Sequence, residues 1–142
     1  MNPLAPRKIP TEFLRFLTAG AAGFAVDSLM LLGLVQGAGW QPMLARVASF
    51  ALALSATWLI NRMWTFRPVT EEKSARGIVA EFLGYCGVQL AGGAANFALY
   101  ATIVAVTGHS TVELLGALAA GSATGLIINY FGARKFVFST KA

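Results

Sequence analysis

Nine residues carry the chemistry open to this chain, and all of them stand inside or at the ends of long apolar runs. Asp27 and Arg46 are an acid and a base in the first half, and Asn96 falls 69 residues after Asp27. Asn61, Arg62 and Trp64 close one apolar run; Asn129, Arg134 and Lys135 close another. A charged side chain at the centre of a membrane-spanning helix costs about 2.5–3.5 kcal/mol, so one that is kept there is paired, hydrated or neutralised. The arginine fork grips a carboxylate or a phosphate through two parallel hydrogen bonds. Three roles follow for Asp27 and Arg46. They lock two helices together, or Arg46 faces an anionic headgroup while Asp27 steadies it, or Asp27 alone is a proton-coupling carboxylate. The basic and aromatic clusters around 61–64 and 129–135 predict either anchoring to the phosphates of membrane lipids or an inner shelf for a phospholipid-like ligand.

Catalysis finds no support in the same inventory. No glycine-rich loop leads to a lysine and serine, no His-Glu-x-x-His is present, and the single histidine, His109, sits in a short turn away from any serine or carboxylate at spanning depth. Cys86 is the only cysteine, which excludes an intramolecular disulfide and a thiolate metal cluster. Hydrolysis and group transfer are therefore disfavoured, and neither a cofactor nor a metal is expected.

The elements that position these residues are spanning helices. With 56% hydrophobic and 12% charged residues in 142 positions, the chain is too apolar for a soluble domain, where charged residues make up about 25%. Apolar segments at 13–36, 43–60, 82–107 and 114–132 each approach or exceed the roughly 20 residues that cross about 30 Å of hydrocarbon as helix. The first exceeds the core of a signal peptide, about 7–15 residues, and three more spans follow, so it is expected to be retained. Asp27 lies about 21 Å into the first segment at 1.5 Å per residue.

Of the 11 lysines and arginines, ten flank the apolar segments at the N-terminus, in the middle loop and at the C-terminus, while the turns at 37–42 and 108–113 hold none. Arg46 is the exception. The positive-inside rule then places both termini and the middle loop in the cytoplasm. The net charge of +5 is thus topological, and it does not mark a nucleic-acid partner.

Each half holds two crossings and ends alike, in Asn61-Arg62-Met63-Trp64-Thr65-Phe66 and in Ala133-Arg134-Lys135-Phe136-Val137-Phe138. Glu12-Phe13-Leu14 opens the first half as Glu81-Phe82-Leu83 opens the second. The offset is 69 in the first helix of each pair and 72 in the second, where Thr57 matches Asn129 and Arg62 matches Arg134. An all-α membrane protein follows, a single four-helix domain over 1–142. Two parallel-oriented hairpin repeats, about 12–66 and 81–138, are joined by a cytoplasmic loop at about 67–80. Small residues at helical spacing predict close packing: Ala45, Ser49 and Ala53 in the second helix, and Gly116, Ala120 and Thr124, with Gly121 and Gly125, in the fourth. Gly20 with Gly23, and Gly92 with Gly93, are expected to pack as well.

Phe13-Leu14-Arg15-Phe16-Leu17-Thr18-Ala19-Gly20 leading to Asp27, Leu59-Ile60 before Asn61-Arg62-Met63-Trp64-Thr65-Phe66, and Asn129 before Arg134-Lys135-Phe136-Val137-Phe138 together resemble the GtrA-like family. These are small four-helix membrane proteins of bacteria and archaea. The resemblance covers roughly residues 12–138. It implies a flippase in the bacterial or archaeal cytoplasmic (inner) membrane, moving a polyprenyl-phosphate-linked sugar outward for cell-surface polysaccharide synthesis. Asp27, Asn61, Arg62, Trp64, Asn129 and Arg134 fall on the family's motif positions, whereas Ala133 departs from the polar residue expected there. A groove lined by Arg46, Asp27 and Asn96 would replace part of the headgroup's lost hydration. Four short helices enclose little volume, so a homo-oligomer, a dimer, is expected. Two other readings stand beside this one: a non-transporting anchor for a membrane glycosyltransferase, and a small drug or cation exporter, which Arg46 disfavours.

Overall fold

The computed structural model describes residues 9–66, 74–107 and 110–139, which form four long helices and no strand. Arg7, Lys8, Arg67, Lys73, His109 and Lys141 lie outside these residues. The helices are α1 (Ile9–Leu32), α2 (Pro42–Ile60), α3 (Ala75–Thr107) and α4 (Thr111–Gly132). The spans Pro10–Gly37, Leu44–Thr65, Ala75–Thr107 and Val112–Val137 are long and apolar enough to cross a membrane, with mean hydropathies of 1.6, 1.4, 1.5 and 1.5. The chain divides into two compact units, Met1–Glu71 and Glu72–Ala142, each of them one helical hairpin.

Local sequence sets the helix ends. Gly39 takes φ 68° in the turn after α1, a conformation glycine adopts at no steric cost, and Pro42 then opens α2 at a position where its missing N–H is not needed. Ser110 caps α4. Its Oγ accepts the Glu113 N–H at 3.4 Å, and Glu113 Oε2 accepts the Ser110 N–H at 2.8 Å, a reciprocal capping box. Glu113 also places a carboxylate in the first turn, where the helix dipole favours it. Ser110→Ala is expected to lower stability by about 1 kcal/mol in a denaturant titration in micelles, with Glu113→Gln nearly silent because an amide oxygen keeps the second bond.

Three helices continue past their α-helical end as a π-turn: Gly33–Gly37 after α1, Asn61–Thr65 after α2 and Ala133–Val137 after α4. The closing bonds are Ala38 N–H to Gly33 O at 3.0 Å, Phe66 N–H to Asn61 O at 2.9 Å and Phe138 N–H to Ala133 O at 2.9 Å. The two basic and aromatic hexapeptides are thus mostly wide helical turns, not tails. In the first hairpin, Phe16 meets Phe66 at 6.1 Å between ring centroids and 59°; in the second, Tyr85 meets Phe138 at 6.0 Å and 57°. Glu12 and Glu81 are buried at matching positions nearby. α3 begins at Ala75, six residues before Glu81, so the expected loop at 67–80 is shorter than its composition indicated.

The seam of each hairpin is built from small residues, which let backbones approach to van der Waals contact in lipid. In the first, Ala19, Ala45, Ser49 and Ala53 are buried, and a Cβ built on Gly23 would stand 2.3 Å from Thr57 Cγ2. In the second, the buried stripe on α4 is Ala117, Gly121 and Gly125. Of the small residues expected to pack on this helix, Gly121 and Gly125 lie against Asn96, where a side chain has no room, whereas Gly116 meets nothing within 4 Å. Likewise Gly23 and Gly92 make close contacts, and Gly20 and Gly93 stand open.

Candidate functional site

α1 and α2 run antiparallel about the short turn at Gly39, which brings Asp27 on one to the level of Arg46 and Ser49 on the other. Arg46 Nη1 donates to Asp27 Oδ2 in an ion pair, and Ser49 Oγ donates to Asp27 Oδ1 at 2.7 Å. Ser49 Oγ also lies 3.2 Å from the Arg46 carbonyl oxygen. A hydroxyl has one proton to give, and the shorter contact to the ionised acceptor takes it. Both carboxylate oxygens are therefore occupied, and the Asp27 side chain is only 14% exposed.

Arg46 is held differently. Its side chain is 51% exposed, one nitrogen is spent on Asp27, and Cζ stands 6.0 Å from the centroid of the Phe50 ring. Among the described residues its remaining guanidinium N–H groups have no hydrogen-bond acceptor. The pair ties α1 to α2 and still leaves about half of the arginine side chain open. The expected pair forms, and Ser49 joins it. Sequence reading placed Ser49 in the packing stripe alone, although its position three residues after Arg46 put it on the same helix face.

At the opposite end of this hairpin the aromatic rings carry cations. Arg15 Cζ lies 5.3 Å from the Trp64 ring centroid, and its Nη1 donates to the Trp64 carbonyl at 3.2 Å. Arg62 Cζ lies 5.9 Å from the Trp58 ring. Arg15, read from sequence only as a topological charge, is thus part of the cluster. In the second hairpin, Arg134 is half-buried in the π-turn and Lys135 Nζ lies 5.5 Å from the Phe136 ring.

Two of the predicted shelf residues point elsewhere. Asn61 is 1% exposed in its π-turn, and Asn129 Oδ1 is shut into the α3–α4 seam, 2.0 Å from where a Cβ on Gly92 would stand. Both serve packing in this arrangement, which leaves Trp64 exposed and Arg62 half-buried in the first hairpin, and Lys135 exposed and Arg134 half-buried in the second. Asn96 lies on α3 in the second hairpin. There the residues matching Arg46 and Ser49 are Leu118 and Gly121, so the charged arrangement is confined to one hairpin.

Four apolar helices with an enclosed acid and a presented base define a multi-pass membrane protein built around a polar station inside its first hairpin. Residues 15–140 match the family described as GtrA/DPMS, transmembrane domain, and the chain belongs to that family. The match spans all nine residues singled out from the sequence. The domain fits membrane proteins of glycan synthesis. No curated protein matches the chain.

Proposed function

We propose that this protein moves a polyprenyl-phosphate-linked sugar between the leaflets of a bacterial or archaeal cytoplasmic membrane, supplying cell-surface polysaccharide synthesis. The observation that carries this reading is the half-exposed guanidinium of Arg46, held by an enclosed Asp27 within an apolar hairpin. A phosphodiester entering hydrocarbon loses its hydration, and a guanidinium already tied down on one edge offers charge-assisted hydrogen bonds from the other at little further loss of rotamer freedom. The polyprenyl tail stays in lipid throughout. Arg62, Trp64, Arg134 and Lys135 would gather the headgroup at the cytoplasmic face, and a second copy of the chain would complete the enclosure that four helices lack.

The test is reconstitution. Purified protein in liposomes is expected to transfer a polyprenyl-phosphate sugar to the opposite leaflet faster than empty liposomes do. Transfer no faster than in empty liposomes would overturn the proposal and leave the anchor for a membrane glycosyltransferase in its place.

Orientation is checked separately. In a Cys86→Ala background, Ser110→Cys is expected to react with an impermeant maleimide from outside intact cells, and Ser74→Cys only after permeabilisation. The reverse pattern would invert the path.

A further inference from the structure

The second hairpin holds a pocket of about 280 Å³ at the place corresponding to the Asp27 station, lined by Gly93, Asn96, Phe97, Tyr100 and Leu118. Its origin is visible in the repeat. Counting 69 residues back, Gly93 stands where the first hairpin has Phe24, Phe97 where it has Ser28, and Tyr100 where it has Leu31. Gly93 thus lacks the ring its counterpart carries, while Phe97 and Tyr100 bring two rings to the lining. Leu118 in place of Arg46, 72 residues earlier, removes the charge.

Two polar groups face this pocket without a protein partner. Among the described residues neither the Asn96 amide nor the Tyr100 hydroxyl makes a hydrogen bond, although both lie within the span Ala75–Thr107. A polar group left without a partner where water is excluded costs free energy, so the pair suits a hydrogen-bonding occupant. Asn96 Oδ1 packs beside Gly121 on the facing helix, so the amide stands where the seam opens into the pocket.

We infer that this pocket is a binding site for an uncharged, hydroxyl-bearing ring, the glycosyl part of an amphiphile. An amide offers two donors and an acceptor, a phenol one of each, and none of the five lining residues carries a charge to select an anion. The ring faces of Phe97 and Tyr100 carry partial negative charge, which suits the C–H face of a pyranose. A helix from another chain fits the pocket less well, since Phe97 is 71% exposed and would hold a neighbouring backbone away from Asn96. The inference rests on the headgroup reading above and divides it: the first hairpin takes the phosphate, the second the sugar.

Two probes separate the parts. Wild-type protein in phosphatidylcholine nanodiscs is titrated with octyl β-glucoside below its micelle concentration and with octyl phosphate, followed by ligand-observed NMR against empty nanodiscs. Tyr100→Phe, which removes one oxygen and leaves the packing alone, is expected to lower the glucoside-to-phosphate affinity ratio by about three- to tenfold, the worth of one hydrogen bond. Asn96→Leu should lower it further, and Arg46→Gln should raise it. An unchanged ratio in both second-hairpin variants would overturn the inference, while loss of phosphate affinity in Arg46→Gln would keep the headgroup reading standing. A drop in oligomer mass in Tyr100→Phe, with the ratio unchanged, would assign the pocket to a second copy of the chain and likewise overturn it. If wild type binds neither probe, both readings fall.

Discussion

Reconstituted Arg46→Gln protein is expected to move a polyprenyl-phosphate sugar between leaflets about ten- to a hundredfold more slowly than wild type. The estimate comes from the loss of charge-assisted hydrogen bonds to phosphate, each worth about 1.5–3 kcal/mol, with about 1.4 kcal/mol per factor of ten. The single variant also leaves the Asp27 carboxylate with Ser49 as its one partner, and a charge stripped of its mate destabilises the fold on its own account. The double variant Asp27→Asn/Arg46→Gln removes that ambiguity. Two amides at these positions restore a neutral, hydrogen-bonded contact, so the protein should fold and stay inactive. Full transfer by the double variant would show that the pair is structural.

Exchange of the two charges is the sharper contrast. Asp27→Arg/Arg46→Asp keeps one acid and one base at the seam, but the acid now occupies the exposed place and the base the enclosed one. If the pair only ties α1 to α2, transfer should survive, because the attraction does not depend on which helix carries which sign. If Arg46 meets the phosphate, the exchanged protein repels it, and transfer should fall to the level of empty liposomes. The difference rests on one observation, the 51% exposure of Arg46 against 14% for Asp27.

The pair itself was legible because a charge within an apolar segment has few places to go. Asp27 is the one carboxylate in the interior of the first span and Arg46 the one cation in the interior of the second, so antiparallel neighbours had to bring them together. The four spans were legible for the same reason of length and composition. What sequence did not disclose depends on rotation and hydrogen-bond register. Ser49 and Ala53 look alike as small residues, and only the angular position of α2 gives Ser49 the carboxylate. On α4 small-residue spacing admitted both the Gly116, Ala120 and Thr124 row and the Gly121 and Gly125 pair, and Asn96 on the facing helix decides for the pair. The π-turns follow from which carbonyl the last N–H groups choose, and no residue type at 61–65 or 133–137 announces that choice. Asn61 and Asn129 were grouped with the arginines of the shelf, yet on a helix Asn61 points about 100° away from Arg62 beside it, and Asn129, five residues before Arg134, faces the α3–α4 seam.

Gly92→Ala is expected to destabilise the second hairpin by up to about 3 kcal/mol, the upper end for overpacking by one methyl group. The new Cβ would stand 2.0 Å from Asn129 Oδ1 and 2.8 Å from the Gly125 carbonyl oxygen. The amide can swing aside, but the carbonyl belongs to the backbone of α4, so the two helices must part. Gly23→Ala, at the matching position in the first hairpin, should cost less. Its Cβ meets Thr57 Cγ2 at 2.3 Å, while the nearest backbone oxygen, of Ala53, lies at 3.6 Å, an ordinary contact. A threonine side chain can rotate, at the loss of the bond its hydroxyl donates to the Ala53 carbonyl at 2.7 Å. Gly87→Ala, with nothing within 4 Å, is the control and should be neutral. Denaturant titrations in micelles should therefore rank the variants Gly92, Gly23, Gly87 from most to least damaging; equal effects would mean that the α3–α4 seam is not as close as it is drawn. Function should follow the same order only in part. Asn96 stands one turn beyond Gly92 on α3, so parting α3 from α4 moves the amide that faces the pocket, whereas the Asp27 station, built wholly within α1 and α2, should keep its affinity for octyl phosphate.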